Sequence, residues 1–322
     1  MSDADALLVL PRLRVQNANA LSSPHTWGFP AISAFIGLMQ SLERRLTAEG
    51  CNILFDGVGV ICHTHEPQMS RNGFTQQCNL TRNPLTQDGG TPALVEEGRT
   101  HLDITLVFHV RPPEDLNDTD EAAKRVGELI HGIRIAGGTV IPNKRVARYR
   151  TTPTWASLGD DPDQRAATFK AQSRRWLPGF ALVGRDDLLH EHHAERQGIH
   201  PDSDLIDTWL DLAGLNMEPE HIGQDAKTKS AWHPRGPSGW IVPIPVGYGA
   251  LTPATQGGDV PGARDSSTPV CFVESLFSVG EWKSPHHLTG INQLVWYVAN
   301  DLEQGCYRLR NDYAPHYPAL TT

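Results

Sequence analysis

The sequence predicts an α+β fold built on an antiparallel sheet. Residues 6–16 and 100–110 alternate in the period of two that strands require. Apolar residues recur at helical spacing through 30–48 and again after Asp118. Strand and helix segments therefore follow one another in the order β-α-β-β-α-β, with a long excursion inside the β-β connection.

The elements follow in chain order. In the first strand Leu7, Val9, Leu13 and Val15 point one way, and Leu8, Leu10, Arg12, Arg14 and Gln16 the other. Pro30 suits a first helical turn, and Ile32, Phe35, Ile36, Met39, Leu42 and Leu46 form one apolar face behind it. ILFDGVGVIC (53–62), residues 74–80 and HLDITLVFHV (101–110) are strand-like. Asp118 and Glu121 have capping-box spacing ahead of Ala122, Val126, Leu129 and Ile130. IRIAGG (133–138) closes the unit with a strand and a glycine turn. This is the ferredoxin-like order of RNA-recognition domains, in which both helices cover one sheet face and the other stays open.

The second half is less regular. Residues 161–176 and 185–213 are expected to be helical, 216–239 an exposed loop, and GWIVPIPVGY (239–248) a strand whose prolines place it at an edge or bulge. Residues 249–268 suit a loop, VCFVESLFSVGEW (270–282) a strand and 285–301 a final helix. Residues 1–150 are expected to form the ferredoxin-like core with its inserted loop. Residues 151–322 are expected to be a helical and β-hairpin elaboration packed on it.

Composition is that of an ordinary soluble globular chain, 39% hydrophobic and 20% charged. No apolar run reaches the roughly 18 residues that span a bilayer, and MSDADALLVL lacks the basic region of a signal peptide. The odd number of cysteines, five without a CxxC pair, fits free thiols in a reducing cytoplasm. A net charge of −9 argues against indiscriminate nucleic-acid binding but leaves room for a local site. Two stretches hold bases and no acid: 133–150, with Arg134, Lys144, Arg145, Arg148 and Arg150, and 165–175, with Arg165, Lys170, Arg174 and Arg175.

Seven phrases in order carry a resemblance. They are LPRLRVQNANALSSPHTWGFPAISAF, NLTRNPL, VEEGR, RIAGGTVIP, LPGFALV, GWIVPIPVGY and FVESLFSVGEWKSPH. Together they resemble the RAMP-superfamily subunit of type I-F (Csy-type) CRISPR surveillance complexes. The spans 143–176 and 185–237 match loosely. The resemblance implies a RAMP core and a non-catalytic, cytoplasmic protein that binds the 5′ handle of the crRNA. It also implies a heterodimer with the large subunit, contact with the adjacent backbone subunit, and target DNA in the assembled complex. No cofactor is expected.

Candidate RNA-binding residues follow from that resemblance and from residue type. Arg12, Arg14, Gln16, Asn17, Asn19, Ser22, Ser23, His25 and Trp27 precede a helix start near Phe29–Ala31, where free N–H groups favour a phosphate. Asn and Gln offer paired donors and acceptors to base edges, and Ser reaches phosphates and 2′-hydroxyls. The same residues also suit turn capping, and Trp27 suits a core anchor as well as a stacking platform. In NLTRNPL, Asn79, Arg82 and Asn83 fit an RNA or partner contact, or a turn before Pro84. Arg99 fits a phosphate, or a pairing with Glu96 or Glu97. Gly137 and Gly138 allow close backbone approach to a ligand, or a plain turn.

Two other functional classes are weighed. A metal-independent endoribonuclease needs a base for the 2′-hydroxyl and a second group at the leaving oxygen; His25 is the candidate base, and no Ser-His-Asp order, Gly-rich phosphate motif or HExxH accompanies it. A scaffold would touch RNA only incidentally. For metal binding, Cys62, His63 and His65 alternate, and His190, His192 and His193 have no cysteine nearby in sequence.

Overall fold

The computed structural model describes residues 5–82, 85–142, 149–221, 230–301 and 303–315. Asn83 and three of the basic residues, Lys144, Arg145 and Arg148, lie outside them.

The first strand, β1 (Ala6–Asn19), is longer than its alternation suggested, and its phase changes twice. Against β9 (Arg99–Arg111) the register shifts between Leu10 and Leu13 and again between Val15 and Ala18. Pro11 and Arg12 thus stand opposite Thr105, and Gln16 and Asn17 opposite His101. These are β-bulges, two residues facing one. Each holds a residue at positive φ, Arg12 at 54° and Asn17 at 58°. Each freed N–H is caught by the side chain opposite: Arg12 N donates to Thr105 Oγ1 at 3.2 Å, and Asn17 N to His101 Nδ1 at 3.2 Å. The buried set is therefore Leu8, Leu10, Leu13, Val15 and Ala18, while Leu7 and Val9 face the other side. The strict alternation that put Leu13 with Leu7 is corrected by the first bulge.

After the small hairpin β2–β3 (Leu21–Ser23, Thr26–Trp27), α1 (Ile32–Ala48) buries all six residues of its anticipated face. β4 (Leu54–Pro67) pairs with β9. Between them stand two self-paired hairpins, β5–β6 (Met69–Asn72, Thr75–Cys78) and β7–β8 (Leu80–Arg82, Leu94–Glu96). In α2 (Thr119–Ile130) Asp118 accepts from Glu121 N at 2.9 Å, the cap its spacing anticipated. The turn β10–β11 (Arg134–Ile135, Gly138–Ile141) then places β11 beside β1. In this half the sheet runs β11-β1-β9-β4, antiparallel throughout. α1 and α2 pack on the face that carries Leu8, Leu10, Val60 and Phe108, and each such buried side chain contributes about 1.5–3 kcal/mol.

The other face is not open along its whole length. β12 (Thr154–Ser157) pairs with the start of β1. Phe169 of α3 (Pro162–Ser173) and Trp176 of the 3₁₀ turn behind it cover Leu7, Val9, Ile61 and Val107. Among the described residues the outward polar face is confined to the far ends of β1, β9 and β4, which corrects the expectation of a fully exposed sheet.

From β4 the sheet continues through β13 (Phe180–Gly184). The helices α4 (Asp186–Ile199) and α5 (Leu205–Ala213) follow, joined by His192 Nε2 to Asp211 at 2.6 Å and His193 Nδ1 to Thr208 at 2.9 Å. The described residues of 216–239 hold a hairpin rather than a bare loop, β14–β15 (Asn216–His221, Ser230–Arg235), a two-stranded sheet of its own among the described residues. In β16 (Ile241–Ala250), Pro243 and Pro245 fall where only β17 (Val273–Lys283) lies alongside, and a bulge follows at Pro245–Gly247. The anticipated final helix is reduced to a single turn, α6 (Ile291–Leu294), before β18 (Trp296–Asp301) and β19 (Cys306–Asn311). Trp296 pairs with Val58, so β18 returns to β4 and closes a ring of strands through β13, β17, β16 and β19. Its indole N–H donates to Leu182 O at 2.8 Å inside the ring. Gly59 must lack a side chain, because a Cβ there would lie 2.4 Å from Leu294 Cγ.

Thr105 is buried and also contacts His63 Nε2 at 2.7 Å. Thr105→Val should leave Arg12 N without an acceptor and lower stability by about 1–3 kcal/mol, measured as a reduced urea midpoint with unchanged m-value.

Candidate nucleic-acid interface

The second bulge of β1 gathers much of the sequence-predicted set at one end of the sheet. Gln16 pairs with Thr139, Asn19 with Arg99, and Asn19 N donates to Ala136 O at 2.8 Å. Gly138 approaches β1 itself: a Cβ there would lie 2.7 Å from Ala18 N. Ala136 and Gly137, at φ 48° and 78°, make the turn beside it. The close approach that glycine permits is thus used to seat β11 against the bulge.

Arg14, Gln16 and Asn17 are exposed, and their side chains make no hydrogen bond or ion pair among the described residues. Arg14 and Gln16 line a groove of about 270 Å³ with Thr64, Glu66, His101 and Asp103. It mixes one guanidinium with carboxylates, an amide and an imidazole. Such a surface offers both donors and acceptors, which suits base edges better than phosphates. His101, Glu66 and Thr64 were not singled out in the sequence; only the register across β1, β9 and β4 reveals them.

The other polar groups of the opening stretch are spoken for. Asn19 donates through Nδ2 to Leu21 O at 2.8 Å and accepts from Leu21 N at 3.1 Å. Ser22 Oγ lies 2.7 Å from Thr26 Oγ1, and Ser23 Oγ accepts from His25 N and Thr26 N at 3.1 and 3.0 Å. His25 rests its ring on Phe277, centroids 5.7 Å apart. These side chains hold the β2–β3 hairpin in shape, the capping alternative raised for them.

Trp27 is 52% exposed and is no core anchor. With Phe29, Phe180, Trp240 and Trp282 it lines a cavity of about 450 Å³ at the start of α1, whose N-cap Ala31 offers no side-chain bond. Burial pushes the neighbouring Cys62 thiol up to about 12 and lowers His63, which contacts Pro178 O at 2.6 Å.

Asn79 and Arg82 are exposed near the β7–β8 hairpin, apart from the groove residues. Arg99 pairs with Glu97 at 2.6 Å; that bond, with one from Thr81, holds the Glu97 carboxyl below the usual carboxylate range. Arg12 is held by Asp103 at 3.4 Å and by Pro178 O at 3.3 Å, with its guanidinium 4.0 Å over the Tyr149 ring. Among the described residues one cluster has the spacing of metal donors, Asp5, Asp56 and His109. Arg165 bonds Asp5 at 2.7 Å and Arg111 bonds Asp56 at 2.6 Å, so its carboxylates already serve ion pairs.

A bulged antiparallel sheet that ends in a surface of free amide and guanidinium groups defines the class as an α+β protein with a candidate nucleic-acid interface. The family model described as CRISPR-associated protein (Cas_Csy2) matches residues 8–309. The chain is similar to CRISPR-associated protein Csy2 of Pseudomonas aeruginosa (strain UCBPP-PA14), at 42% identity over 315 residues and 96% of each chain. It belongs to the Csy2 family of CRISPR-associated proteins.

The bonding pattern separates the two asparagines. Asn19→Ala should lower stability by about 1 kcal/mol through its lost turn bonds. Asn17→Gly, which keeps the positive φ and removes only the amide, should stay within about 0.5 kcal/mol of the parent. Chemical denaturation of both variants checks the contrast.

Proposed function

We propose that this chain is a non-catalytic guide-RNA-binding subunit of a type I-F CRISPR surveillance ribonucleoprotein, capping the 5′ handle of the crRNA. The observation that carries this reading is the free Arg14–Gln16–Asn17 strip on the bulged end of β1 in a member of the Csy2 family. Gln16 and Asn17 read base edges, Arg14 meets the backbone, and Asn19, Ser22, Ser23, Gly137 and Gly138 hold that surface in place. The aromatic face of Trp27 is available for stacking. Arg99, Asn79 and Arg82 extend the interface toward the hairpins; Asn83, in the same NLTRNPL stretch, lies outside the described residues. The core through residue 150 is ferredoxin-like, of RAMP type, and residues 151–322 elaborate it.

The partners of this reading are the large subunit in a heterodimer, the adjacent backbone subunit, and target DNA in the assembled complex, all in the cytoplasm. Tyr248, Phe272 and Val273, at the shared end of β16 and β17, are 40–58% exposed. Grouped apolar surface of that kind suits a partner. No helix among the described residues is long and apolar enough to cross a membrane. The endoribonuclease reading is set aside. His25 leans on Phe277, and its ring nitrogens make no hydrogen bond among the described residues that would orient it as a base.

Purification of the tagged chain with its partners, followed by sequencing of the bound nucleic acid, tests the assignment. One short RNA sequence at the 5′ end of the bound species is expected; recovery of no RNA contradicts it. With that RNA resynthesised as a probe, Asn17→Gly should weaken it relative to a scrambled RNA by about 1–3 kcal/mol. Arg14→Ala should weaken both alike and reduce the salt slope by about 0.7. Equal losses for both RNAs in Asn17→Gly would remove base reading from this surface.

A further inference from the structure

A second site lies on the same outward face of β1, one bulge earlier. The chain brings Arg12 of β1, Arg150 ahead of β12 and Arg175 of the 3₁₀ turn behind α3 around one pocket of about 390 Å³. Tyr149, Thr152 and Gln172 also line it, and among the described residues no carboxylate does. The arginines come from positions up to 163 residues apart (175 − 12), so the cluster is a product of the fold. Arg150 and Arg175 are exposed and have no ion-pair partner among the described residues. Arg12 is fixed in place by Tyr149, Asp103 and Pro178.

Arg12 is paired with Asp103, which leaves Arg150 and Arg175 lining the pocket without an ion-pair partner among the described residues. An anion supplies the missing counter-charge, and guanidinium forks match a phosphate. The neighbouring groove carries Glu66 and Asp103, so the two sites differ in kind. Asp103 bonds Arg12 and lines the groove, which makes the sites adjacent along β1.

We propose that the Arg12–Arg150–Arg175 pocket holds a backbone phosphate of the RNA whose bases lie in the groove lined by Arg14 and Gln16, beside Asn17. This rests on the RNA-binding reading above and adds to it a phosphate subsite.

The test uses the purified complex, stripped and rebound to its own resynthesised RNA and to a scrambled RNA. The double variant R150A/R175A should lose about tenfold in affinity for both RNAs, with a salt slope smaller by on the order of 0.7 per lost contact. The charge-matched double variant R44A/K124A, on helices α1 and α2, should keep wild-type values. If R150A/R175A keeps wild-type affinity and slope while Asn17→Gly still loses selectivity, the phosphate subsite is wrong and the RNA reading stands. If R44A/K124A loses as much as R150A/R175A, the effect is one of net charge and the subsite is again wrong. If the wild-type complex binds neither RNA, the RNA reading fails, and the subsite with it. A second arm titrates inorganic phosphate by calorimetry. Saturable binding that R150A/R175A abolishes, with RNA affinity untouched, would assign the pocket to a free phosphate compound and overturn the proposal.

Discussion

β1 must keep one face buried under two helices for its whole length, yet its sequence cannot alternate strictly. Continued from Leu8 and Leu10, a period of two would drive Arg12, Arg14 and Gln16 into the core. Burying the two guanidinium charges unpaired costs several kcal/mol each, and the Gln16 amide would lose its hydrogen bonds to water. The two bulges resolve the conflict. Each skips one position, returns Leu13, Val15 and Ala18 to the buried side, and turns the polar residues outward. Thr105 and His101 make the bulges tenable by accepting the two stranded N–H groups. The candidate interface is thus a consequence of how the core is kept dry.

That constraint also divides the outward face. The first bulge holds Arg12, paired with Asp103, beside Tyr149, Arg150 and Arg175 in a pocket that no acid lines among the described residues. The second sets Gln16 and Asn17 opposite His101, and Gln16 lines a groove that includes Glu66 and Asp103. Phosphate contacts fix register and base contacts supply sequence in protein–nucleic acid complexes generally. A surface that separates the two chemistries by one step along a strand has the means to do both. The overall charge of −9 then limits unspecific affinity elsewhere.

Local pattern made α1 fully legible, because its six apolar positions and Pro30 need no knowledge of the rest of the chain. The α2 cap was legible for the same reason. The bulges are not legible in the alternation; their only local signs are Pro11, which has no N–H for a ladder, and Asn17, which tolerates positive φ. The anticipated final helix gives way to β18 because Trp296–Asp301 pairs at six positions with β19 and once with Val58, partners outside the 285–301 pattern. Among site residues, type alone could not divide Asn17 from Asn19, Ser22 and Ser23. All suit both turn capping and RNA contact, and only the turn's own bonds separate them. His101 and Glu66 sat unremarked in strands whose faces only cross-strand register assigns.

The most direct measurement is ultraviolet cross-linking of the intact complex to its own RNA, with the adducts located by peptide mass spectrometry. Adducts concentrated on residues 12–19 and 99–101, with others near Tyr149–Arg150, are the expected result. Adducts confined to the β5–β6 and β7–β8 hairpins, with the β1 peptide unmodified, would contradict an RNA surface built by the bulges of β1.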